Sequence, residues 1–408
     1  MNIIIASDSY KGSLDTNEVA KQIGNGVLKV LKDAQLMYIP MADGGEGTVD
    51  AMVACLGGHY EYCEVLGPLG DKVNAKYAVI EDGKAVIETA EASGLTLIPT
   101  ESRNILKATT YGTGQLIKAA LDKGFKQIYI GIGGSATNDG GIGMAQALGA
   151  HFFDRNGKEV GFGGEVLGSI VDINLSEMDI RLKDTEIIVM SDVTNPLCGP
   201  KGASAVYGPQ KGATPEQIIQ LDNGLMSLTE VIKKKYNLEV RDMKGAGAAG
   251  GLGMGLVAFA GAKLQSGIDA VLTVAKFREK LEWADLVITG EGRIDGQTIN
   301  GKVPVGVAKL AAEKNVPVIA IVGSIGKGAE EVYQHNIESM ESCIMAPGTV
   351  EDAMEHAKDN LLLATERIIR SIALGMRLCT NPKAVSKEAH SKEILQSGSS
   401  IVTFRLGS

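Results

Sequence analysis

Aromatic side chains and cysteines are scarce in this 408-residue chain, in which Phe, Trp and Tyr together make up 4% of the residues. Five cysteines occur, an odd number, and none forms a C-x-x-C pair. This pattern argues against a disulfide framework and a zinc site, and it is typical of reduced thiols in a cytoplasmic protein. Apolar residues make up 44% of the chain, which is enough for a core without cross-links.

The chain also lacks an excess of basic residues, because its formal net charge is −9. A nucleic-acid partner is therefore not expected. No apolar run reaches the ~18 residues of a membrane span, and residues 1–6 lack the flanks of a secretory signal peptide. We expect a cytoplasmic protein with a small-molecule substrate, no membrane partner, and a monomeric or homodimeric state.

Several catalytic motifs are missing as well. The chain contains no H-E-x-x-H, no G-x-S-x-G and no histidine in its glycine-rich loops, so a histidine base is not expected. One G-x-G-x-x-G begins at Gly245, as chance alone allows in a chain with 52 glycines. Gly296, Gly301 and Lys302 have P-loop spacing, but Val303 stands where Ser or Thr should bind Mg²⁺. Lys302 could still face a phosphate from the start of its helix.

Short apolar runs rich in β-branched residues alternate with amphipathic stretches. Such runs predict strands buried on both faces, and the alternation predicts crossover units in a parallel sheet. The predicted strands are 2–6, 35–40, 127–132, 186–190, 285–289 and 317–322, and the predicted helices are 16–31, 303–314 and 351–372. The fold class is therefore α/β, with a doubly wound parallel sheet.

The alternation of strands and helices is interrupted in the middle of the chain. Residues 72–89 predict a hairpin with Asp82 and Gly83 at its turn, and residues 154–157 predict a second turn. Antiparallel pieces there indicate an inserted domain. We predict one discontinuous domain from residues 1–70 and 285–375, an inserted α/β domain at 71–284, and a loosely ordered polar tail at 378–408.

Carboxylates and glycines follow many of the predicted strands. In open parallel sheets the ligand lies beyond the carboxyl ends of the strands, so these loops are candidate site segments. The polar and glycine residues concerned are Asp8, Ser9, Lys11, Asp43, Gly44, Gly45, Glu46, Gly133, Gly134, Ser135, Asn138, Asp192, Asn195, Glu291, Arg293, Asp295, Ser324 and Lys327. The alternative is that each Asp only caps a helix or forms a turn.

Phosphoryl transfer is the chemistry that best uses such loops. Backbone N–H groups of glycine-rich turns bind anions, carboxylates hold Mg²⁺, and lysine or arginine offsets the charge of the transition state. A nucleotide-dependent dehydrogenase would need a dinucleotide fingerprint after the first strand, and SDSYKGS at 7–13 lacks that spacing.

Seven blocks together resemble the bacterial glycerate kinase family over residues 1–372. They are SDSYKGSL at 7–14, MADGGEGT at 41–48, TTYGTGQLI at 109–117, GIGGSATNDGGIGMAQALGA at 131–150, SDVTNPLCGPKGASAVYGPQKGAT at 191–214, GAGAAGGLG at 245–253 and ITGEGRIDGQT at 288–298. Ser7 and Tyr10 stand where most members of the family carry Pro and Phe. The resemblance implies ATP- and Mg²⁺-dependent phosphorylation of D-glycerate to 2-phosphoglycerate, and a flavodoxin-like domain with a second α/β domain inserted into it.

We assign the roles as hypotheses. Asp192 is the first choice for the group that orients or deprotonates the hydroxyl, and Asp295 is the second. Lys11 and Arg293 would hold carboxylate or phosphate, with Asn195 beside the substrate. The alternative for Arg293 is an ion pair that braces its own loop.

The cofactor contacts are assigned in the same way. Gly133, Gly134, Ser135, Thr137 and Asn138 would surround the ATP phosphates, helped by the N-terminus of the following helix and by Lys302. Lys211 and Gln210 are weaker candidates. Asp43 and Glu46 would bind Mg²⁺, with Asp8 sharing that task. The remaining alternatives are a metabolite sensor without activity and a kinase for a related small hydroxy acid.

Overall fold

A computed structural model describes residues 1–42, 47–80 and 83–380, without the side chains of Cys55 and Asn300. The strands are β1 Asn2–Ser7, β2 Gln35–Tyr38, β3 Gly58–Leu66, β4 Lys72–Ile80, β5 Lys84–Glu88, β6 Gln127–Gly131, β7 His151–Phe153, β8 Asp172–Asn174, β9 Glu186–Met190, β10 Lys263–Gln265, β11 Leu286–Gly290, β12 Arg293–Ile294, β13 Val318–Val322, β14 Ser324–Ile325 and β15 Ile337–Ser342. The α-helices are α1 Thr16–Val30, α2 Thr48–Leu56, α3 Thr89–Ser93, α4 Tyr111–Asp122, α5 Ile142–Ala147, α6 Ala203–Tyr207, α7 Pro215–Tyr236, α8 Leu252–Ala260, α9 Gly267–Val274, α10 Phe277–Lys280, α11 Val303–Glu313, α12 Val350–Glu355 and α13 Ala357–Thr380.

The first sheet is built from the two ends of the chain. Its five strands are all parallel, in the order β15-β13-β11-β1-β2. Successive side chains of β1 point to opposite faces: Ile3 and Ile5 join the apolar cluster with α1 and α13, and Ile4 and Ala6 join the cluster with α11. Because both faces are covered by helices, the strand sequences do not alternate. The strand order is that of a flavodoxin-like doubly wound sheet, which confirms the predicted fold class.

The second sheet comes from the middle of the chain. Its order is β10-β9-β6-β5-β4-β3, with parallel pairing from β10 to β5 and antiparallel pairing in β4 and β3. The predicted hairpin is formed by β4 and β5, although Asp82 lies outside the described residues. The second predicted turn is also present, since the Gly157 N–H donates to the Asp154 carbonyl at 2.9 Å.

The predicted boundary at residue 70 does not match the second sheet. Strand β3 pairs with β4 along its whole length, from Gly58 opposite Ile80 to Leu66 opposite Lys72. Helix α2 packs against β4 and β5. Strand β3 lies at the sheet edge and is largely exposed, so its sequence has no long apolar run that would reveal it. The division into two domains stays a prediction, and we now place its first boundary before α2.

One apolar cluster is shared by the two sheets. It contains Ile4 and Val287 of the first sheet, Ile80 and Ile188 of the second, and residues of α9 and α11 such as Ile268 and Val307, all buried. The polar loops beyond β1, β11, β6 and β9 line common cavities at this junction.

The C-terminal part differs from the prediction in two ways. The predicted helix 351–372 is divided into α12 and α13, and α13 extends to Thr380, which includes the first three residues of the predicted tail. Residues 381–408 lie outside the described part of the chain. Among the described residues, no helix is long and apolar enough to cross a membrane.

Candidate active site

The loops after β1 and β11 leave neighbouring strands at the point where the order of the first sheet reverses. The Asp8 N–H donates to the Gly290 carbonyl at 2.9 Å, which joins the two loops. A side chain at Gly290 would put its Cβ 1.9 Å from the Ile321 carbonyl oxygen, so only glycine allows this approach. Ligands of doubly wound sheets bind at this reversal.

A buried carboxylate anchors the loop after β11. Glu291 is 8% exposed, and its Oε1 accepts a hydrogen bond from Thr298 Oγ1 at 2.6 Å. Lys302 Nζ lies 3.7 Å from Glu291 Oε2. Burial raises the pKa of Glu291, and Lys302 opposes that rise. Lys302 immediately precedes α11, as its predicted position at the start of a helix requires.

Arg293 lies in the same loop but is largely exposed. Its Nε lies 3.5 Å from Asp295 Oδ2, and 66% of its side-chain surface is accessible. Asp295 also accepts the Gln297 N–H at 2.9 Å through Oδ1. This ion pair is the contact that the bracing alternative predicts. An exposed pair of this length contributes little stability, so the guanidinium is not firmly held.

The glycine-rich loop after β6, an interior strand of the second sheet, begins with Gly133, Gly134 and Ser135. Gly134 has φ +71°, a left-handed conformation that favours glycine. The Leu95 N–H donates to the Gly134 carbonyl at 2.8 Å and the Ala136 N–H donates to the Ser93 carbonyl at 2.8 Å, which hold the turn against α3.

The second half of this loop does not fit the predicted role. Thr137 and Asn138 are fully buried, and Asn138 Nδ2 donates to Ser204 Oγ at 3.0 Å. The N-terminus of α5 is already occupied, because the Asp139 carboxylate accepts the N–H groups of Gly141 at 3.0 Å and Gly143 at 3.4 Å. These contacts leave the start of α5 with a carboxylate of the chain already bound to it, so the role of residues 133–138 as a phosphate site stays a prediction that Gly133, Gly134 and Ser135 support best.

The loop after β9 carries Asp192 and Asn195. Asp192 Oδ1 accepts the Gly267 N–H at 2.9 Å, which connects the end of β9 to the start of α9. The amide of Asn195 is used within its own loop: Nδ2 donates to the Lys201 carbonyl at 2.8 Å and Oδ1 accepts from Tyr207 Oη at 2.9 Å. Asn195 therefore shapes the loop through both ends of its side chain.

These loops meet in one cavity of about 1040 Å³, here called the larger cavity. The predicted site residues that line it are Lys11, Gly133, Gly134, Ser135, Asp192, Asn195 and Lys302. A smaller cavity of about 450 Å³ lies beside it, between α9 and α11. Residues 191–194 and Lys244 line both cavities. Asp192 therefore lies where the larger and smaller cavities adjoin.

Five other predicted residues do not line either cavity. They are Asp8, Thr137, Asn138, Arg293 and Asp295. Asp8 is 8% exposed and accepts the Ser9 N–H at 2.7 Å, and Asp295 is two residues from Gln297, which does line the larger cavity. Asp43 and Glu46 lie outside the described residues.

The larger cavity also contains residues that were not assigned to the site from the sequence. They are Leu95, Ile132, Met190, Ser191, Val193, Thr194, Tyr207, Lys244, Ala248, Ala249 and Gln297, together with the weaker candidates Gln210 and Lys211. Lys244 directly precedes the glycine run at 245–253, a signal that could have identified it. Ala249 has φ 53°, a strained conformation for a residue with a side chain, as is found at functional sites.

Three comparisons bear on what this cavity does. Residues 3–373 match the model of the glycerate kinase family. The chain belongs to the glycerate kinase family. It is 52% identical over 378 residues to the glycerate 2-kinase of Escherichia coli K12, covering 92% of this chain and 99% of that protein. It is 49% identical over 373 residues to the glycerate kinase of Halalkalibacterium halodurans, covering 91% of this chain and 97% of that protein.

A solved structure agrees with this family assignment. A crystal structure from Salmonella typhimurium LT2, provisionally assigned as glycerate kinase 2, superimposes with a TM-score of 0.83 at 48% identity. The match covers 92% of this chain and 99% of that one. As a member of the glycerate kinase family, the chain is an ATP-dependent kinase. The match agrees with the α/β fold class predicted from the sequence.

Proposed function

We propose that this chain transfers the γ-phosphoryl group of ATP directly to D-glycerate, with Mg²⁺, and yields 2-phosphoglycerate. The observation that carries the proposal is the convergence of Lys11, Asp192, Lys302 and the turn at 133–135 on the larger cavity. Direct transfer needs a positioned acceptor, N–H groups for the phosphoryl oxygens, and cations that offset the developing charge. These four segments supply each of them from separate loops.

The donor belongs in the larger cavity. Its volume of about 1040 Å³ suits a nucleotide, since ligand pockets span roughly 300–1,000 Å³. Gly133 and Gly134 line the wall, where their N–H groups would bind phosphoryl oxygens, and Lys11 and Lys302 contribute positive charge from the first sheet. Loops of both sheets would therefore hold the triphosphate between them.

The acceptor hydroxyl belongs at Asp192. This carboxylate lies where the larger and smaller cavities adjoin, and the Gly267 N–H fixes one of its oxygens. A fixed carboxylate can orient the 2-hydroxyl and accept its proton as the new O–P bond forms. Lys11, which lines the larger cavity, and Arg293, from the segment after β11, are the proposed partners of the glycerate carboxylate.

The described carboxylates are compatible with Mg²⁺ but do not form a dedicated metal site. Among the described residues, no three His, Cys, Asp or Glu side chains lie close enough together to hold a metal ion. Mg²⁺ needs no such group, because it uses one or two carboxylates, water and phosphate oxygens. We propose Asp43 and Glu46 as its protein ligands, with Asp8. When bound, the ion would neutralise charge on the transferring phosphoryl group.

A coupled assay of ADP release tests this function. Purified protein with MgATP should release ADP on addition of D-glycerate, and much more slowly with glycolate, lactate or L-glycerate. The ³¹P spectrum of the product decides the position: phosphate on the secondary carbon couples to one proton, and phosphate on the primary carbon couples to two. Nucleotide binding without turnover of any hydroxy acid would favour the sensor instead.

A further inference from the structure

The wall of the larger cavity contains a buried lysine that the proposed transfer has not used. Lys211 is 3% exposed and follows α6, close beneath the turn at 133–135. Its Nζ donates to Ser135 Oγ at 2.9 Å and to the Thr137 carbonyl at 2.7 Å. An ammonium group has three N–H donors, and these two contacts engage two of them.

Both partners of Lys211 are neutral. Among the described residues, no carboxylate oxygen lies within 4.0 Å of its Nζ. The charge that acts on it is Asp139, whose carboxylate is bonded to Thr110, Gly141 and Gly143 instead. A buried ammonium without a direct counter-ion is costly to keep charged. An anion that entered the cavity here would supply the missing negative charge.

We propose that Lys211 is an anion-binding residue, and that its ammonium group holds a phosphoryl oxygen of the bound nucleotide against the turn at 133–135. The inference rests on the proposed function, because the anion is the phosphoryl donor. Through Ser135 and the Thr137 carbonyl, the same ammonium fixes the turn whose N–H groups face that anion. Binding then requires the protonated form of Lys211.

This requirement makes nucleotide affinity depend on pH. Burial lowers the pKa of Lys211 to about 7, and the charge of Asp139 opposes that shift. Asp139 is the charged group that acts on Lys211, and Arg103 Nη1 donates to the carbonyl of the adjacent Gln210. Lys11, Asp192, Lys244 and Lys302 line the same cavity. Neutral Lys211 has no positive charge to attract the phosphoryl oxygen. The affinity for the nucleotide should therefore fall as the pH rises above about 7.

Calorimetric titration with MgATP in the absence of glycerate tests the inference. Between pH 6.5 and pH 9, the apparent Kd of the unmodified protein should rise by at least about tenfold, because the bound proton must be supplied from solution. Lys211→Met should bind MgATP at least about tenfold more weakly at pH 6.5 and show a flat profile. Lys302→Met, which removes a more exposed lysine of the same cavity, should weaken binding but keep the pH dependence.

Two controls separate the outcomes. Thermal unfolding and circular dichroism establish that Lys211→Met is folded, and Lys211→Arg, which stays charged, should show a flat profile with its affinity retained if it folds. A wild-type profile in Lys211→Met, or an unmodified protein whose affinity is constant from pH 6.5 to 9, overturns the inference while leaving the kinase function intact. No binding of MgATP at any pH contradicts both. If MgATP binds with the expected pH profile but D-glycerate causes no ADP release, the result contradicts D-glycerate as the acceptor and supports the role of Lys211.

Discussion

Asp192 Oδ1 accepts a hydrogen bond from the Gly267 N–H at 2.9 Å, across 75 positions of sequence. The contact joins the end of β9 to the first residue of α9, and it holds a carboxylate where the two cavities adjoin. Because this hydrogen bond fixes its orientation, the Asp192 carboxylate can contact a bound hydroxyl without a change of side-chain conformation. This relationship is the basis of the first prediction.

Asp192→Asn should fold normally and lose most of its turnover. The amide oxygen of Asn can still accept the Gly267 N–H, but the amide cannot take a proton from the hydroxyl. We expect kcat to fall by about 10²–10⁴-fold, the usual contribution of a general base. Steady-state ADP release measures it, with Asp359→Asn, an exposed carboxylate of α13, as the matched control. Turnover close to the unmodified level would remove Asp192 from the mechanism.

Arg293→Ala should raise the KM for D-glycerate by about tenfold and change the KM for ATP by much less. The weak, exposed pair with Asp295 leaves the guanidinium able to bind the substrate carboxylate. Arg278→Ala, which removes an exposed arginine paired with Glu313, is the control. A larger effect on ATP would place Arg293 on the nucleotide side, and equal small effects on both constants would support its bracing role.

Asp139→Asn should damage the fold rather than the chemistry. The buried carboxylate accepts the Thr110 N–H at 2.8 Å and Thr110 Oγ1 at 2.9 Å, besides the N–H groups at the start of α5. An amide would turn an NH₂ group towards some of these donors and leave them unsatisfied, at a cost of about 3 kcal/mol. Urea unfolding measures it, and Asp184→Asn, at an exposed position, should be nearly neutral. A loss below about 0.5 kcal/mol would contradict this structural role.

Glu88 should make stability depend on pH. Burial raises its pKa from 4.5 to about 7, and its Oε1 accepts the Val49 N–H at 2.7 Å at the start of α2. Between pH 4.5 and about 7, the folded chain holds a proton that the unfolded chain releases, so the free energy of unfolding falls as the pH rises through this window.

Glu88→Gln isolates this effect. The uncharged amide oxygen can still accept the Val49 N–H, but it does not titrate. Relative to the variant, the unmodified protein should lose up to roughly 3 kcal/mol of unfolding free energy between pH 4.5 and pH 8. Urea unfolding over that range measures the difference. Parallel pH profiles for the two proteins would show that the Glu88 carboxyl titrates with its ordinary pKa.

The central strands were predicted closely from the sequence because a strand that is buried on both faces has a short continuous run of apolar residues. Strand β9 has the predicted bounds, β1 and β6 differ from the predicted runs by one residue at one end, and β11 is shifted by one residue. Strand β3 was missed because an exposed edge strand has no such run, and this displaced the domain boundary. The spacing of apolar residues along the sequence reflects burial, whereas the place of a strand in a sheet depends on pairing between distant segments.

The candidate site was predictable in its loops but not in the orientation of each side chain. Lys11, Asp192 and Lys302 follow strands or precede a helix and do line the larger cavity. Thr137 and Asn138 lie in the predicted loop, yet they turn into the interior. Lys211 carries a charge that sequence alone places at the surface, and only its contacts with Ser135 and Thr137 show that it is buried.

The most direct measurement is a crystal structure of the protein with Mg²⁺, the β,γ-imido analogue of ATP and D-glycerate. We predict that the terminal phosphoryl group lies in the larger cavity against the turn at 133–135, and that Asp192 lies within hydrogen-bond distance of the glycerate 2-hydroxyl. A triphosphate bound away from that turn, or a 2-hydroxyl with no contact to Asp192, would contradict the proposed site.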